Sequence, residues 1–120
     1  MLRYIELKSG HNDDGPAWIA RVKLSKSRRT VYFGAKALRR GGVGYANHTD
    51  VETGEAYWVS GVKRRGTDRH WAGSGTVMIE RSAVAEYLRE IGAAELDATR
   101  FRVIPDLEEP DLSRFDALQH

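Results

Sequence analysis

The sequence predicts a mainly β (α+β) fold: a small antiparallel, strongly bent sheet or partly open barrel of about six strands with one packed C-terminal helix. Three observations lead to this prediction. Short apolar stretches alternate with turn signals through the first eighty residues, a clear helical spacing of apolar residues occurs after Ser82, and 120 residues is the usual size of one domain. We divide the chain into a β-rich domain, residues 1–92, and an acidic C-terminal extension, residues 93–120.

The first strands are predicted from alternation and turn residues. Residues 1–8 form a strand that ends in the turn-favouring run of residues 9–16. Residues 17–24 alternate, with Trp18, Ala20 and Val22 on one face, as a half-buried strand requires. A turn over residues 25–29 leads to a strand over 30–33. Residues 35–40 fit either a further strand or a helical turn.

Two predicted hairpins share the strand around Trp58. In the first, Gly54 takes the left-handed position of a three-residue loop, which pairs His48 with Trp58. In the second, a turn near residues 64–67 sets Gly61 opposite His70. The shared strand is apolar on both faces, so we place it centrally in the sheet and expect Trp58 and Trp71 in the core.

The C-terminal third contains the predicted helix. Residues 76–79 form a strand, Ser82 is the expected N-cap, and Gly92 closes the helix. Residues 101–104 are a candidate last strand before Pro105. In the remaining acidic segment, Leu112 and Phe115 are the expected apolar anchors.

The charge is distributed unevenly along the chain. Residues 1–76 hold 14 Lys and Arg against 7 Asp and Glu, whereas residues 77–120 hold 5 against 10; the balances of +7 and −5 give the total of +2. This asymmetry indicates a phosphate-bearing partner or an internal electrostatic match.

Residues 15–49 carry eight basic side chains and no acidic one, with four aromatic residues between them. Phosphate contacts combined with base stacking use such a composition, so binding to RNA or DNA is the first specific prediction. The stacking candidates are Trp18, Tyr32, Phe33 and Tyr45. The predicted nucleic-acid-binding residues are Arg21, Lys23, Arg28, Arg29, Lys36, Arg39 and Arg40. The alternative is a solvated hairpin whose charges meet only water.

The acidic extension suggests a partner of another class. Residues 106–120 would place Leu112, Phe115 and Leu118 on one short amphipathic segment. This segment would dock on the basic part of its own chain, on a second copy or on another protein. A protein-interaction or self-associating module is therefore the second functional hypothesis.

A metal site is a weaker hypothesis. His48, Asp50 and Glu52 are spaced two apart and would project from one face of an extended strand, with His70 as a further ligand. The predicted hairpin register separates His48 from His70. No cofactor is predicted, and the absence of cysteine excludes thiolate ligands and a cysteine nucleophile.

A small metal-independent ribonuclease is the catalytic alternative. Such an enzyme needs a carboxylate base, a histidine acid and an arginine for the phosphate charge. The candidates are Glu52 or Glu55, His70 and Arg69. Because these residues lie in separate turns, we expect binding and not catalysis.

Four segments carry a family resemblance: residues 16–22, 30–34, 50–61 and 68–73. Over residues 4 to about 88 the chain resembles a group of short uncharacterised bacterial proteins. The resemblance implies a bacterial, free-standing domain and brings no activity with it. With no apolar run of membrane-spanning length and no signal-peptide pattern, the expected location is cytoplasmic, with no membrane partner.

Overall fold

The computed structural model describes residues 1–10, 15–42, 44–62, 76–113 and 115. Within these ranges, nine strands form one sheet beside a single α-helix. The elements are β1 (Leu2–Leu7), β2 (Ala17–Arg21), β3 (Lys23–Leu24), β4 (Thr30–Phe33), β5 (Lys36–Arg40), β6 (His48–Asp50), β7 (Ala56–Ser60), β8 (Val77–Glu80), α1 (Val84–Ile91) and β9 (Phe101–Ile104). Their order across the sheet is β3-β4-β5-β6-β7-β1-β2-β8-β9.

The sheet is strongly curled into an open half-barrel. β2 and β3 are separated in sequence by Val22 alone, yet β3 is an edge strand and β2 lies beyond β1 in the sheet order. The strand predicted over residues 17–24 therefore bends at Val22 and pairs with β1 before the bend and with β4 after it. The mainly β, bent-sheet prediction is confirmed at this level.

The prediction of about six strands is wrong, since the described residues contain nine. The bend at Val22 divides one predicted strand into two, and the ambiguous segments at 36–40 and 101–104 are both strands. The sheet is also only mostly antiparallel. β8 pairs in parallel with β2, and β9 pairs in parallel with β8. The β8–β9 pairing is parallel because the connection through α1 returns the chain to the end of the sheet where β8 starts.

The first hairpin differs from its predicted register by one residue. His48 pairs with Tyr57 and not with Trp58, although Gly54 does take the left-handed conformation at φ 75°. The Asp50 carboxylate accepts the backbone N–H of Glu52 at 2.9 Å, so the turn starts one residue earlier than expected. A shift of one residue exchanges the two faces of a strand.

The two faces of the curled sheet bury different clusters. We call inner the face that holds the larger part of the half-barrel core, and outer the opposite face. The inner cluster consists of Ile5, Ala20, Val22, Val31, Phe33, Leu38, Tyr57 and Val59. The outer face is covered in two separate places. Helix α1 covers β1, β2 and β8 through Tyr87, and Phe115 covers β4 and β5 at Tyr32 and Ala37.

Helix α1 follows a 3₁₀ turn over Arg81–Ala83. The prediction of Ser82 as N-cap is wrong: Ala83 holds that position with no side-chain cap, and the Ser82 N–H donates to Asp106 at 2.9 Å. Gly92 ends the helix in the left-handed conformation, as predicted. No helix in the described ranges is long and apolar enough to cross a membrane. The domain division at residue 92 stays a prediction.

Candidate nucleic-acid interface

Four of the seven predicted basic residues meet at one end of the β4–β5 hairpin. Two lie in the turn before β4, and two lie at the end of β5. The backbone N–H of Arg40 donates to the carbonyl of Arg29 at 2.6 Å, and Arg39 pairs with Thr30. All four side chains belong to exposed residues. We call this group the arginine end: Arg28, Arg29, Arg39 and Arg40.

The turn before β4 is held by Ser25. The Arg28 N–H donates to the Ser25 carbonyl at 2.9 Å, and the Ser25 hydroxyl accepts the Thr30 N–H at 3.1 Å. Arg28 adopts a positive φ of 63°, which is uncommon for a residue with a side chain. These bonds close the turn, on which Arg28 and Arg29 are exposed.

The remaining three predicted residues have acidic partners. Arg21 lies 3.4 Å from Glu86, Lys23 lies 3.0 Å from Glu109, and Lys36 lies 3.4 Å from Asp50. Lys36 also starts β5 and is therefore at the opposite end of that strand from Arg40. The structure thus brings four of the seven together and separates the other three. Within the described part of the chain, none of the four has an acidic ion-pair partner.

Three of the four predicted stacking residues are not free to contact a base. Tyr32 and Phe33 are buried in β4, and Trp18 packs edge-on against Phe33 with ring centroids 5.1 Å apart. Tyr45 is 87% exposed. The aromatic spacing in the sequence therefore reflects the core of the sheet rather than a stacking surface.

Tyr45 belongs to the connection between β5 and β6, directly after the arginine end. The base of this connection is closed by the Gly41 N–H, which donates to the Asn47 carbonyl at 2.9 Å. The Thr49 hydroxyl donates to the Gly41 carbonyl at 2.8 Å. Tyr45 is thus an exposed side chain close to Arg40 in sequence. The connection that carries it is closed at its base by the Gly41–Asn47 hydrogen bond.

Trp58 is the aromatic residue that the sequence reasoning misplaced. Tyr57 and Val59 are buried on the inner face of β7, and the alternation along the strand puts Trp58 on the outer face. Trp58 is 38% exposed, so its predicted place in the core is wrong. The expected central position of β7 is confirmed, since it lies between β6 and β1. The strand is apolar on both faces, so its alternation alone did not indicate which face is left exposed.

His48 is buried on the inner face beside the arginine end. It is 8% exposed and pairs across the ladder with Arg40. Burial, together with the Arg40 charge, lowers the pKa of His48 below its usual value near 6.5. The folded chain therefore favours the neutral imidazole.

The metal candidates are only partly assembled. His48 and Asp50 share the inner face of β6, but the Asp50 carboxylate is occupied by Lys36 and by the N–H groups of its own turn. Glu52 is exposed in that turn. No group of three His, Cys, Asp or Glu in the ranges described is placed to hold a metal ion. Arg69, His70 and Trp71, and with them the second predicted hairpin, lie outside the described residues.

The acidic segment after β9 folds back onto its own sheet. Leu107 packs beside Gly34, and Phe115 is fully buried against Tyr32 with ring centroids 6.0 Å apart. Leu112, a predicted anchor, is 44% exposed, and Leu118 lies outside the described residues. A cleft of about 470 Å³ remains between this segment and the β2–β3 bend, lined by Lys23, Glu80 and Glu109 among others.

The arrangement therefore combines an exposed arginine group, two exposed aromatic residues and a buried histidine at one end of the half-barrel. The likeness of residues 4–88 to short bacterial proteins stays a prediction. No protein-family model, no curated protein and no solved structure matches the chain.

Proposed function

We propose that this protein binds nucleic acid through the arginine end. One observation carries the proposal: four arginines from two neighbouring chain segments meet at one end of the sheet, without an acidic ion-pair partner among the described residues. Guanidinium groups remain charged at every physiological pH and bind phosphate oxygens in a bidentate manner. Their exposure leaves these donors available to a phosphate backbone.

The rest of the basic segment supports the same location. Glu86 and Glu109 lie beside Arg21 and Lys23, at the bend between β2 and β3. The two carboxylates offset the positive charges of Arg21 and Lys23, and they also repel a phosphate group. The bend therefore attracts a phosphate backbone less than unpaired basic residues would. Among the described residues, the arginine end is accordingly a group of basic side chains that attracts a polyanion without an acidic partner beside it.

The first experiment measures how binding depends on salt. A labelled single-stranded oligonucleotide of about 20 nucleotides is titrated between about 50 and 200 mM salt. With about four phosphate contacts, log Kd should change with log salt with a slope near 3, since each contact on a single strand contributes about 0.7. A flat salt dependence would contradict the proposal.

A matched pair of variants then tests the location. Replacing Arg28, Arg29, Arg39 and Arg40 with Gln should remove most of the affinity and most of the salt slope. Replacing Arg81, Arg89, Arg100 and Arg102 with Gln makes the same change in net charge at four other exposed residues. The control should retain binding, and an equal loss in both variants would show that only net charge matters.

The other functional hypotheses rest on different residues. In the described part of the acidic segment, Leu107 and Phe115 are engaged with the chain's own sheet, so the self-associating module stays a prediction. The ribonuclease alternative depends on Arg69 and His70 and also stays a prediction.

A further inference from the structure

Among the described residues, the outer face of the sheet has a strip that is left uncovered between two covered regions. Helix α1 packs over β1, β2 and β8, and Phe115 packs over β4 and β5. The strands between them, β6 and β7, present Trp58 on this outer face, with more than a third of its surface exposed. An exposed tryptophan beside a group of basic side chains can serve as a platform on which a base stacks.

The strip continues directly into the arginine end. Arg39 pairs with Thr49 and Thr49 with Ala56, so these three side chains share the outer face. Trp58 is two residues beyond Ala56 on the same face, towards the end of β7 that adjoins the arginine end. Arg39 and Trp58 are two strand spacings apart across the sheet, about 10 Å, and two residues apart along the strands, about 7 Å. One ligand can therefore contact the guanidinium of Arg39 and the indole of Trp58 together.

The described neighbours of Trp58 fix its strand on both sides, and the carboxylate among them is paired with a cation. On one side Trp58 pairs with Glu6 of β1, and on the other its strand is fixed by β6. Glu6 is buried, and its carboxylate accepts hydrogen bonds from the Tyr4 hydroxyl at 2.6 Å and from the Lys8 ammonium at 2.8 Å. The Lys8 charge balances that of Glu6, so the carboxylate adds little repulsion to a phosphate beside the indole.

This combination selects for unpaired bases. In a duplex the faces of the bases are stacked on one another and are closed to a side chain, whereas a single strand can turn a base onto an aromatic ring. We propose that the strip and the arginine end together bind single-stranded nucleic acid, with a base stacked on Trp58 and phosphates on Arg39 and its neighbours. This inference rests on the proposed function. Because every base has an aromatic face, the binding should tolerate sequence changes.

The test compares single strands with duplexes. Labelled oligothymidylate of about 15 nucleotides and a DNA duplex of the same length are titrated with the wild-type chain, Trp58→Leu and Trp58→Phe. Trp58→Leu should weaken single-strand binding about 5- to 100-fold and leave duplex binding unchanged. Trp58→Phe should stay within about 3-fold of the wild type, because it keeps an aromatic face. Val103→Ala, at a 43% exposed apolar residue of β9, is the control and should have no effect.

A second measurement does not depend on the leucine variant folding. On saturation with oligothymidylate, the wild-type tryptophan fluorescence should be quenched more than that of Trp58→Phe, since the difference reports on Trp58 alone. Equal quenching would overturn the stacking role, as would equal affinity for single strands and duplexes.

The outcomes separate this inference from the function on which it rests. If the four-arginine variant loses binding while Trp58→Leu binds single strands like the wild type, stacking is overturned and phosphate binding stands. If the wild type binds neither single strands nor duplexes, the proposed function itself fails.

Discussion

The side-chain amide of Asn47 and the backbone of Val59 are joined by two hydrogen bonds of 2.8 Å each. The Asn47 Nδ2 group donates to the Val59 carbonyl, and the Val59 N–H donates to Asn47 Oδ1. This pair fixes the orientation of the amide. Since Oδ1 is an acceptor, Nδ1 of His48, 2.9 Å away, must carry the proton and donate. The β5–β6 connection, β6 and the end of β7 that carries Trp58 are thereby held together.

Asn47→Ala should lower the free energy of unfolding by about 1–3 kcal/mol, because two backbone groups of Val59 lose their partner at once. Chemical denaturation measures this change. Asn47→Asp is the informative control: its carboxylate accepts the Val59 N–H but cannot donate to the Val59 carbonyl, so it should also destabilise the chain. If Asn47→Asp were as stable as the wild type, the donated bond would contribute nothing.

His48 should make stability depend on pH. Its folded-state pKa is lowered, so below its unfolded value near 6.5 the unfolded chain binds a proton more readily than the folded chain does. The contribution is therefore present above the unfolded pKa and is lost as pH falls from about 7.5 towards the folded-state value. Unfolding free energies of the wild type and His48→Gln, compared from about pH 7.5 to 5.5, should converge or cross as the wild type loses stability. Parallel curves would show that His48 titrates alike in both states.

The alternation of Trp18, Ala20 and Val22 predicted their shared inner face, because the period of a strand is a local property. The hairpin register was not predicted correctly, because it depends on a single carboxylate, that of Asp50, capping its own turn. The exposure of Trp58 was not predicted either, because β7 is apolar on both faces and local alternation does not show which face is covered. The sequence pattern thus indicated the basic residues of the candidate interface, whereas it placed Trp58, one of the aromatic residues, in the core.

Longer connections account for the rest of the difference. The parallel pairing of β9 depends on the path through α1 and residues 93–100, which no local pattern specifies. Lys23 and Glu109 are 86 residues apart in sequence, so their ion pair was not readable from the charge pattern. In contrast, the meeting of Arg29 with Arg40 follows from the β4–β5 hairpin once residues 36–40 are taken as a strand.

Glu80 should be necessary for holding the acidic segment against β2. Its buried carboxylate accepts the Arg21 N–H at 2.8 Å and the Leu107 N–H at 2.9 Å, one on each oxygen. Glu80→Gln keeps only one acceptor oxygen and leaves one of these N–H groups facing an amide N–H₂. We expect a loss of about 1–3 kcal/mol in the free energy of unfolding. Glu86→Gln, which removes a partly exposed ion pair with Arg21, should change stability by less than about 1 kcal/mol. Equal effects of the two substitutions would contradict the assigned role of Glu80.

Phe115 should stabilise the chain far more than its neighbour Leu112, although both are apolar residues of the same short turn. Phe115 is fully buried against Tyr32, Ala37 and Val51, whereas Leu112 is 44% exposed. Truncating a buried phenylalanine removes its contacts and leaves a cavity, so Phe115→Ala should lower the free energy of unfolding by about 3 kcal/mol. Leu112→Ala should change it by about 0.5 kcal/mol or less. Thermal and chemical unfolding of the two variants measure the difference. If Phe115→Ala were as stable as Leu112→Ala, the docking of the acidic segment on β4 and β5 would contribute nothing to the folded state.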